Sequence, residues 1–143
     1  MTDMFKTFGN YLPLINSAIT MICLINNPYY CLLFILLLVI NYWVNVILKN
    51  QIKEERPNKE CDDEEYKETY GMPSKHAQIA VFSLVYLYLF GGKRESTVFF
   101  ELFIVLLVMF HRVYYREHTV KQVVAGGLFG AIIAFLSGFL LTF

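Results

Sequence analysis

Residues 111–122, HRVYYREHTVKQ, place cationic and imidazole groups between two apolar runs. Arg112 precedes His118 by six positions, and Gln122 follows His118 by four. If this stretch is helical, positions i and i+4 share a face, so Gln122 could orient the His118 ring. A nucleophilic histidine needs one ring nitrogen free and the other held by an acceptor. The pattern therefore indicates a histidine nucleophile or, alternatively, a basic loop at a membrane surface.

A second cluster, GMPSKHAQ, occupies residues 71–78. Pro73 and Ser74 stand where a helix should begin, with Ser74 as its N-cap. The unpaired backbone N–H groups of a helix start bind anions, and Lys75 adds positive charge there. His76 would lie in the first turn, facing a bound ion. The alternative is an ordinary capped helix with a histidine at the membrane surface.

The third cluster is KNQIKEERP, in which Lys49 is followed after six residues by Arg56 and Pro57. Two cations near the end of a helix suit a phosphate group, and arginine can bind it through two hydrogen bonds. Basic residues also commonly flank membrane-spanning helices. Taken alone, this cluster does not separate the two interpretations.

The rest of the chain predicts an all-α integral membrane bundle of four or five transmembrane helices. Hydrophobic residues make up 57% of the sequence, and its charged residues are gathered into a few short stretches. Residues 28–48 and 123–143 are long enough to cross a hydrocarbon core as helices. The shorter apolar runs 77–90 and 96–110 predict a helical hairpin. Residues 10–27 contain polar interruptions and predict a fifth span or an interfacial helix.

Alternating helix directions place the three clusters on the same side of the membrane. Lys49 ends one predicted helix and His76 begins the next. Arg112 ends the third, and His118 precedes the last. These clusters therefore converge from separate parts of the sequence, and together they predict a phosphate site with an acid and a nucleophile at one membrane face.

The length of 143 residues fits a single domain, with an N-terminal segment 1–27 followed by a catalytic bundle 28–143. The net charge of zero gives no indication of nucleic-acid binding. The last apolar run has small residues at intervals of four: Gly126, Gly130, Ala134 and Gly138. This ridge predicts close helix packing within the chain or, alternatively, a homo-oligomer contact.

The three clusters resemble the signature of the type 2 phosphatidic acid phosphatase superfamily. That signature is Lys, six residues, Arg-Pro; then Pro-Ser-Gly-His; then Ser-Arg, five residues, His, three residues, Asp. Residues 49–57 keep the first part, whereas Lys75 replaces the glycine of the second. In the third part His111 replaces serine, with no implied role, and Gln122 replaces aspartate. The chain is most similar to the dolichyl diphosphatase branch, which also has glutamine at the last position.

The resemblance implies a role for each matching residue. His118 would attack phosphorus, and His76 would protonate the leaving oxygen and then activate water. Gln122 would orient His118. The remaining residues would bind phosphoryl oxygens: Lys49, Arg56, Ser74, Lys75 and Arg112. No metal or other cofactor is implied, because fixed cations would take the part of the metal. Lys75 would bind a second phosphate or obstruct one.

The implied activity is hydrolysis of a dolichyl or polyprenyl diphosphate to the monophosphate through a phosphohistidine. The alternatives are a broader phosphatase acting on phosphatidate or undecaprenyl diphosphate, and a non-catalytic lipid-binding or scaffold protein. The resemblance suggests the endoplasmic reticulum or another endomembrane as the location, with a viral membrane as an alternative. The acidic stretch 54–68 predicts a solvated loop or, alternatively, a gate.

Overall fold

The computed structural model describes residues 2–58, 70–92 and 95–142, most of which are helical. The five helices are α1 (Thr2–Leu24), α2 (Pro28–Ile52), α3 (Lys75–Phe90), α4 (Glu95–Tyr114) and α5 (Val120–Thr142). The prediction of an all-α bundle is confirmed. The four predicted helices of the bundle are present, and α2 continues four residues beyond its predicted end, so that Lys49 lies within the helix.

Helix α3 lies at the centre of the bundle and contacts each of the other four helices, most extensively α5. Its sequence is apolar on all sides, which is typical of a helix surrounded by other elements. Ala77, Ala80, Phe82 and Leu87 of this helix are fully buried. The central position of α3 therefore places its N-terminal turn, with Ser74 just before it, among the other elements.

The outer surface of the bundle is apolar. Helices α2, α4 and α5 are long and apolar enough to cross a membrane, judged by length and composition. Large apolar side chains such as Leu32, Leu36, Phe103 and Leu140 point outward from them. In water such a surface would be strongly unfavourable, whereas in a bilayer it matches the lipid.

Helix α1 covers the stretch for which the sequence left two alternatives open. It begins at Thr2, contains Pro13 and packs against α3 and α4. Leu12 is buried in this contact, and Asn16 Nδ2 donates a hydrogen bond to the Ala80 carbonyl at 3.0 Å. This packing favours a helix of the bundle over a helix lying apart on the membrane surface.

A polar seam joins α1, α3 and α4 inside the apolar bundle. Glu101 of α4 is fully buried, and Thr20 Oγ1 donates a hydrogen bond of 2.7 Å to its Oε1. The hydroxyl oxygens of Ser17 and Ser83 lie 3.0 Å apart in the same region. Polar groups in spanning helices typically face inward and pair with one another, as these do.

The small-residue ridge of α5 packs against the backbone of α3. A Cβ atom on Gly126 would lie 2.4 Å from the Ser74 carbonyl oxygen, and one on Gly130 would lie 2.2 Å from the Gln78 carbonyl oxygen. Ala134, one turn further along, is fully buried. The ridge therefore serves packing within the chain, and a homo-oligomer through this face stays a prediction.

Candidate phosphate-binding active site

The three sequence clusters meet at one end of the bundle, where hydrogen bonds join them. The backbone N–H of Ser74 donates to the Gln122 carbonyl oxygen at 3.0 Å, which links the second cluster to the third. Lys49 Nζ donates to the Tyr70 carbonyl oxygen at 2.7 Å, which links the first cluster to the chain leading into the second. These contacts fix the relative positions of segments that are far apart in sequence.

Buried amide side chains hold the beginning of α3 against α2. Asn45 Nδ2 donates to Gln78 Oε1 at 2.7 Å and to the Pro73 carbonyl at 3.2 Å. Gln78 Nε2 in turn donates to Asn41 Oδ1 at 2.6 Å. This network was not predicted from the sequence, although Asn41 and Asn45 stand at an i, i+4 spacing within an apolar run.

Ser74 takes the N-cap position of α3, as the sequence predicts. Its side chain is fully buried, yet Oγ makes no capping bond and has no hydrogen-bond partner among the described residues. A buried hydroxyl normally has a partner, so this Oγ is available to a phosphate oxygen. His76 lies in the first turn of α3, close enough to Arg112, His118 and Arg56 to interact with them electrostatically.

Lys75 is only partly buried, and its Nζ lies 5.6 Å from the centre of the Tyr42 ring on α2. This distance is within the range of a cation–π contact. The structure thus places the lysine that replaces the superfamily glycine at the edge of the site, beside an aromatic ring. Whether it binds a second phosphate stays a prediction.

His118 lies in the short connection between α4 and α5 and is 2% exposed. Its Nδ1 is 3.3 Å from Gln122 Oε1, and its Nε2 is 3.2 Å from Arg56 Nη1. The contact with Gln122 agrees with the sequence expectation, but its geometry differs because His118 precedes α5 instead of lying on it.

Gln122 reaches back to His118 because it belongs to a capping box. The Thr119 hydroxyl accepts a hydrogen bond from the Gln122 backbone N–H at 3.2 Å, and Gln122 Oε1 accepts one from the Thr119 N–H at 3.2 Å. This reciprocal pair is what a Thr-x-x-Gln sequence forms at a helix start. The same Oε1 faces His118 Nδ1, so the cap of α5 also orients the imidazole.

The partners of Gln122 decide which nitrogen of His118 carries the proton. The Thr119 N–H can only donate, whereas the Glu54 carboxylate and the Glu55 carbonyl, which lie 3.0 Å and 2.8 Å from Gln122 Nε2, accept. Oε1 therefore faces the ring, and the Nδ1–H of neutral His118 donates to it. The lone pair is left on Nε2.

Burial and positive charge both disfavour protonation of His118. Burial contributes most, followed by the charges of Arg56, Lys49 and Arg112, and together they lower the pKa of His118 to about 3. The hydrogen bond with Gln122 opposes this shift. The imidazole is therefore neutral at pH 7, which is the form that acts as a nucleophile or base.

Arg112 is fully buried and forms an ion pair with Glu117. Its Nη2 also donates to Asn10 Oδ1 of α1 at 2.6 Å. Arg112 is a predicted phosphate ligand, but neither of these partners was predicted from the sequence. Glu117 could have been noticed because it adjoins His118, whereas nothing in the sequence connects Asn10 with a residue 102 positions away.

Substitution of Glu117 by glutamine is expected to lower the free energy of unfolding by about 2–3 kcal/mol, because the buried Arg112 guanidinium would lose its counter-charge. The measurement is a denaturant titration in detergent micelles. The matched control is Glu95→Gln at an exposed position at the beginning of α4. Equal unfolding midpoints for the two variants would contradict this prediction.

His111 has a packing role. It is buried, and its Nε2 lies 3.2 Å from the Phe5 carbonyl oxygen of α1. A Cβ atom on Gly9 would lie 2.0 Å from the same nitrogen, so the ring packs directly onto the α1 backbone. His111 therefore joins α1 to α4.

The acidic stretch 54–68 is described only in its first part, and residues 59–69 lie outside the described residues. Lys121 Nζ donates to Glu54 Oε2 at 2.8 Å. This hydrogen bond, and then the one from Gln122, hold the pKa of Glu54 below its usual value. Glu54 is therefore ionised at neutral pH, and its other carboxylate oxygen contacts Gln122 Nε2.

Comparison with known proteins identifies the class of protein that carries this arrangement. A family model described as the PAP2 superfamily matches residues 29–140. This chain belongs to that superfamily, which confirms the resemblance of its three sequence clusters.

Curated relatives show which members of the superfamily the chain is similar to. The chain is 32% identical to dolichyldiphosphatase 1 of Dictyostelium discoideum, over 94% of this chain and 64% of the relative. It is 33% identical to dolichyldiphosphatase 1 of Homo sapiens, over 68% of this chain and 47% of the relative. It is 32% identical to lipid phosphate phosphatase gamma of Arabidopsis thaliana, over 67% of this chain and 46% of the relative. The chain thus spans about half to two thirds of the length of these relatives.

A solved structure shares the fold. It is the transmembrane PAP2 type phosphatidylglycerolphosphate phosphatase from Bacillus subtilis, with a TM-score of 0.73 and 21% identity. The match covers 98% of this chain and 75% of that one. Together with the three apolar helices, this likeness establishes an integral membrane protein.

Proposed function

We propose that this protein is a membrane-bound lipid phosphatase that hydrolyses a dolichyl or polyprenyl diphosphate to the monophosphate. The observation that carries the proposal is His118, a buried neutral imidazole whose Nε2 lone pair lies 3.2 Å from the Arg56 guanidinium. A nucleophile beside a cation is what attack on a phosphoryl group requires. The names of the dolichyldiphosphatase relatives support the choice of substrate.

In the first chemical step, His118 Nε2 attacks the terminal phosphorus. The bond between this phosphorus and the bridging oxygen breaks, and a phosphohistidine forms. The lipid monophosphate leaves with a proton that His76 donates to the bridging oxygen. Burial, and then the charge of Arg112, lower the pKa of His76 well below its usual value. The anionic diphosphate would therefore have to raise this pKa on binding, so that His76 enters the step protonated. Arg56 must turn from Nε2 toward the phosphoryl oxygens as the substrate enters.

In the second step, His76 takes a proton from water, and the resulting hydroxide attacks the phosphohistidine. The P–N bond breaks, inorganic phosphate leaves and His118 returns to its neutral form. Cationic side chains would stabilise the charge that develops in both steps, and Ser74 Oγ would hydrogen bond to one phosphoryl oxygen. These groups are Lys49, Arg56, Lys75 and Arg112. They would take the part of a metal, so we propose that the reaction is metal-independent.

The bilayer would hold the isoprenoid chain while the diphosphate reaches the site at the membrane face. The outward apolar surface of the bundle is compatible with this placement. By its similarity to the dolichyldiphosphatases, the enzyme would work in the endoplasmic reticulum or another endomembrane. A broader lipid phosphatase is the second candidate, because a relative of nearly equal identity is named lipid phosphate phosphatase gamma.

The test is phosphate release by purified, lipid-reconstituted protein in the presence of EDTA, with dolichyl diphosphate and phosphatidate compared at equal surface concentration. We expect phosphate from the diphosphate, with dolichyl monophosphate as the lipid product and no loss of rate from chelation. Faster release from phosphatidate would favour the broader phosphatase. A strict requirement for a divalent cation would contradict the mechanism, and no release from any lipid phosphate would favour a non-catalytic lipid-binding protein.

A further inference from the structure

Glu54 lies behind Gln122, on the opposite side from His118. Gln122 Nε2 donates to Glu54 Oε1 at 3.0 Å, while Gln122 Oε1 faces His118 Nδ1 at 3.3 Å. We infer that Glu54 is a positioning residue for His118 and acts through the Gln122 amide. The superfamily signature has an aspartate at position 122, in direct reach of the histidine. Here the Glu54 carboxylate would supply that negative charge from the far side of the Gln122 amide.

The hydrogen bonds along this line all point in one direction. Arg56 donates to His118 Nε2, His118 Nδ1 donates to Gln122, and Gln122 donates to Glu54. The guanidinium can only donate and the carboxylate can only accept, so the two ends fix the direction of every bond between them. A carboxylate at the accepting end polarises the Gln122 amide and makes its oxygen a better acceptor for Nδ1–H.

Glu54 is itself held in place. Its backbone carbonyl accepts a hydrogen bond from the Gly71 N–H at 2.7 Å, and its second carboxylate oxygen accepts one from Lys121 at 2.8 Å. Gly71 also encloses the glutamine amide, because a Cβ atom there would lie 2.6 Å from both the nitrogen and the oxygen of the Gln122 side chain. Gln122 thus has little room to swing away from the line between Glu54 and His118.

An ordinary surface ion pair with Lys121 is the competing explanation for Glu54. The Lys121 side chain is 71% exposed, and exposed pairs of this kind contribute little to stability. That explanation accounts for one carboxylate oxygen only. The other carboxylate oxygen of Glu54 accepts a hydrogen bond from Gln122 Nε2. The orientation of the Gln122 amide is fixed by its backbone and side-chain partners together.

The negative charge of Glu54 has its largest effect on His118 after phosphorus has bonded to Nε2. In the phosphohistidine the ring becomes cationic while Nδ1 keeps its proton, so the Nδ1–H bond to Gln122 strengthens. A carboxylate beyond the amide stabilises this cation, and an uncharged group there does not. This part of the inference rests on the proposed function, whereas the orientation of the neutral ring does not depend on it.

The test compares Glu54→Gln with Glu95→Gln. Both variants remove one negative charge. Glu95 is exposed at the beginning of α4, whereas the proposed site lies at the other end of that helix. A third variant, Glu54→Asp, keeps the carboxylate on a shorter side chain. Each is measured for kcat and KM on dolichyl diphosphate and, without substrate, for the Nδ1–H proton resonance of His118 in protein labelled with ¹⁵N-histidine, of which the chain has three.

We expect Glu54→Gln to lower kcat about tenfold with little change in KM, as for carboxylates that orient a functional histidine elsewhere. Its Nδ1–H resonance should move upfield, Glu54→Asp should recover most of both properties, and Glu95→Gln should resemble the wild type. If Glu54→Gln matches Glu95→Gln in both kcat and resonance, the inference is overturned. If the wild type hydrolyses no lipid phosphate but the resonance still moves, the proposed function fails and the positioning by Glu54 stands.

Discussion

Replacement of His118 by asparagine is expected to reduce phosphate release by at least about a thousandfold, because it removes the proposed nucleophile, the Nε2 lone pair that lies 3.2 Å from Arg56 Nη1. Asparagine keeps a polar group in the buried space but has no nucleophilic nitrogen. The wild-type protein, quenched during turnover, should carry acid-labile phosphate on His118. The variant should carry none.

The control for this substitution is His111→Asn. His111 is also buried, but it contacts the α1 backbone and not the proposed phosphate site. Both variants are compared at matched folded fractions, measured by thermal unfolding in detergent. Equal losses of activity in the two folded variants, or full activity of His118→Asn, would show that His118 is not the nucleophile.

Replacement of Gly126 by alanine is expected to lower kcat about a hundredfold although the substitution adds only one methyl group. The new Cβ would lie 2.4 Å from the Ser74 carbonyl oxygen and 3.2 Å from the Ser74 backbone nitrogen, and backbone atoms cannot rotate away as a side chain can. Helix α5 would have to separate from α3, stretching the 3.0 Å bond between the Ser74 N–H and the Gln122 carbonyl. Displacements of about 1 Å between catalytic groups cost rates of this order.

Gly127→Ala is the matched control, one residue further along the same helix. A Cβ atom there would meet the ends of two side chains, Met109 Cε at 2.9 Å and Val81 Cγ2 at 3.3 Å. These can move at small cost, and both substitutions share the same gain in helix propensity. We expect nearly wild-type activity from Gly127→Ala, and similar activities for the two variants would contradict the proposed importance of the α3–α5 contact.

The lipid-facing helices could be predicted from the sequence because each of them contains a long apolar run. The ends of those runs mark where the chain meets polar surroundings, and this is a different boundary from the end of a helix. Residues 49–51 are polar, so the apolar run ends before them, yet the helix continues through Ile52 until Lys53, which adopts a left-handed conformation with φ of 51°. Similarly, α1 continues through Asn16, Ser17 and Thr20 because these polar side chains are buried against other helices.

The candidate site was predictable where its partners are close in sequence. The contact between His118 and Gln122 and the position of Ser74 at the beginning of α3 both depend on local spacing. Partners brought together by tertiary packing were missed, as for Asn10 beside Arg112 and Glu54 beside Gln122. A single sequence carries no signal for such pairs, because each residue taken alone resembles an ordinary polar residue near the end of a helix.

The buried carboxyl group of Glu101 has a consequence for the stability of α4 within the membrane. A lone α4 would expose this group to lipid, where an ionisable side chain is costly. Packing against α1 removes that exposure and gives the carboxyl group a partner in Thr20. The stability of α4 within the membrane therefore depends on α1.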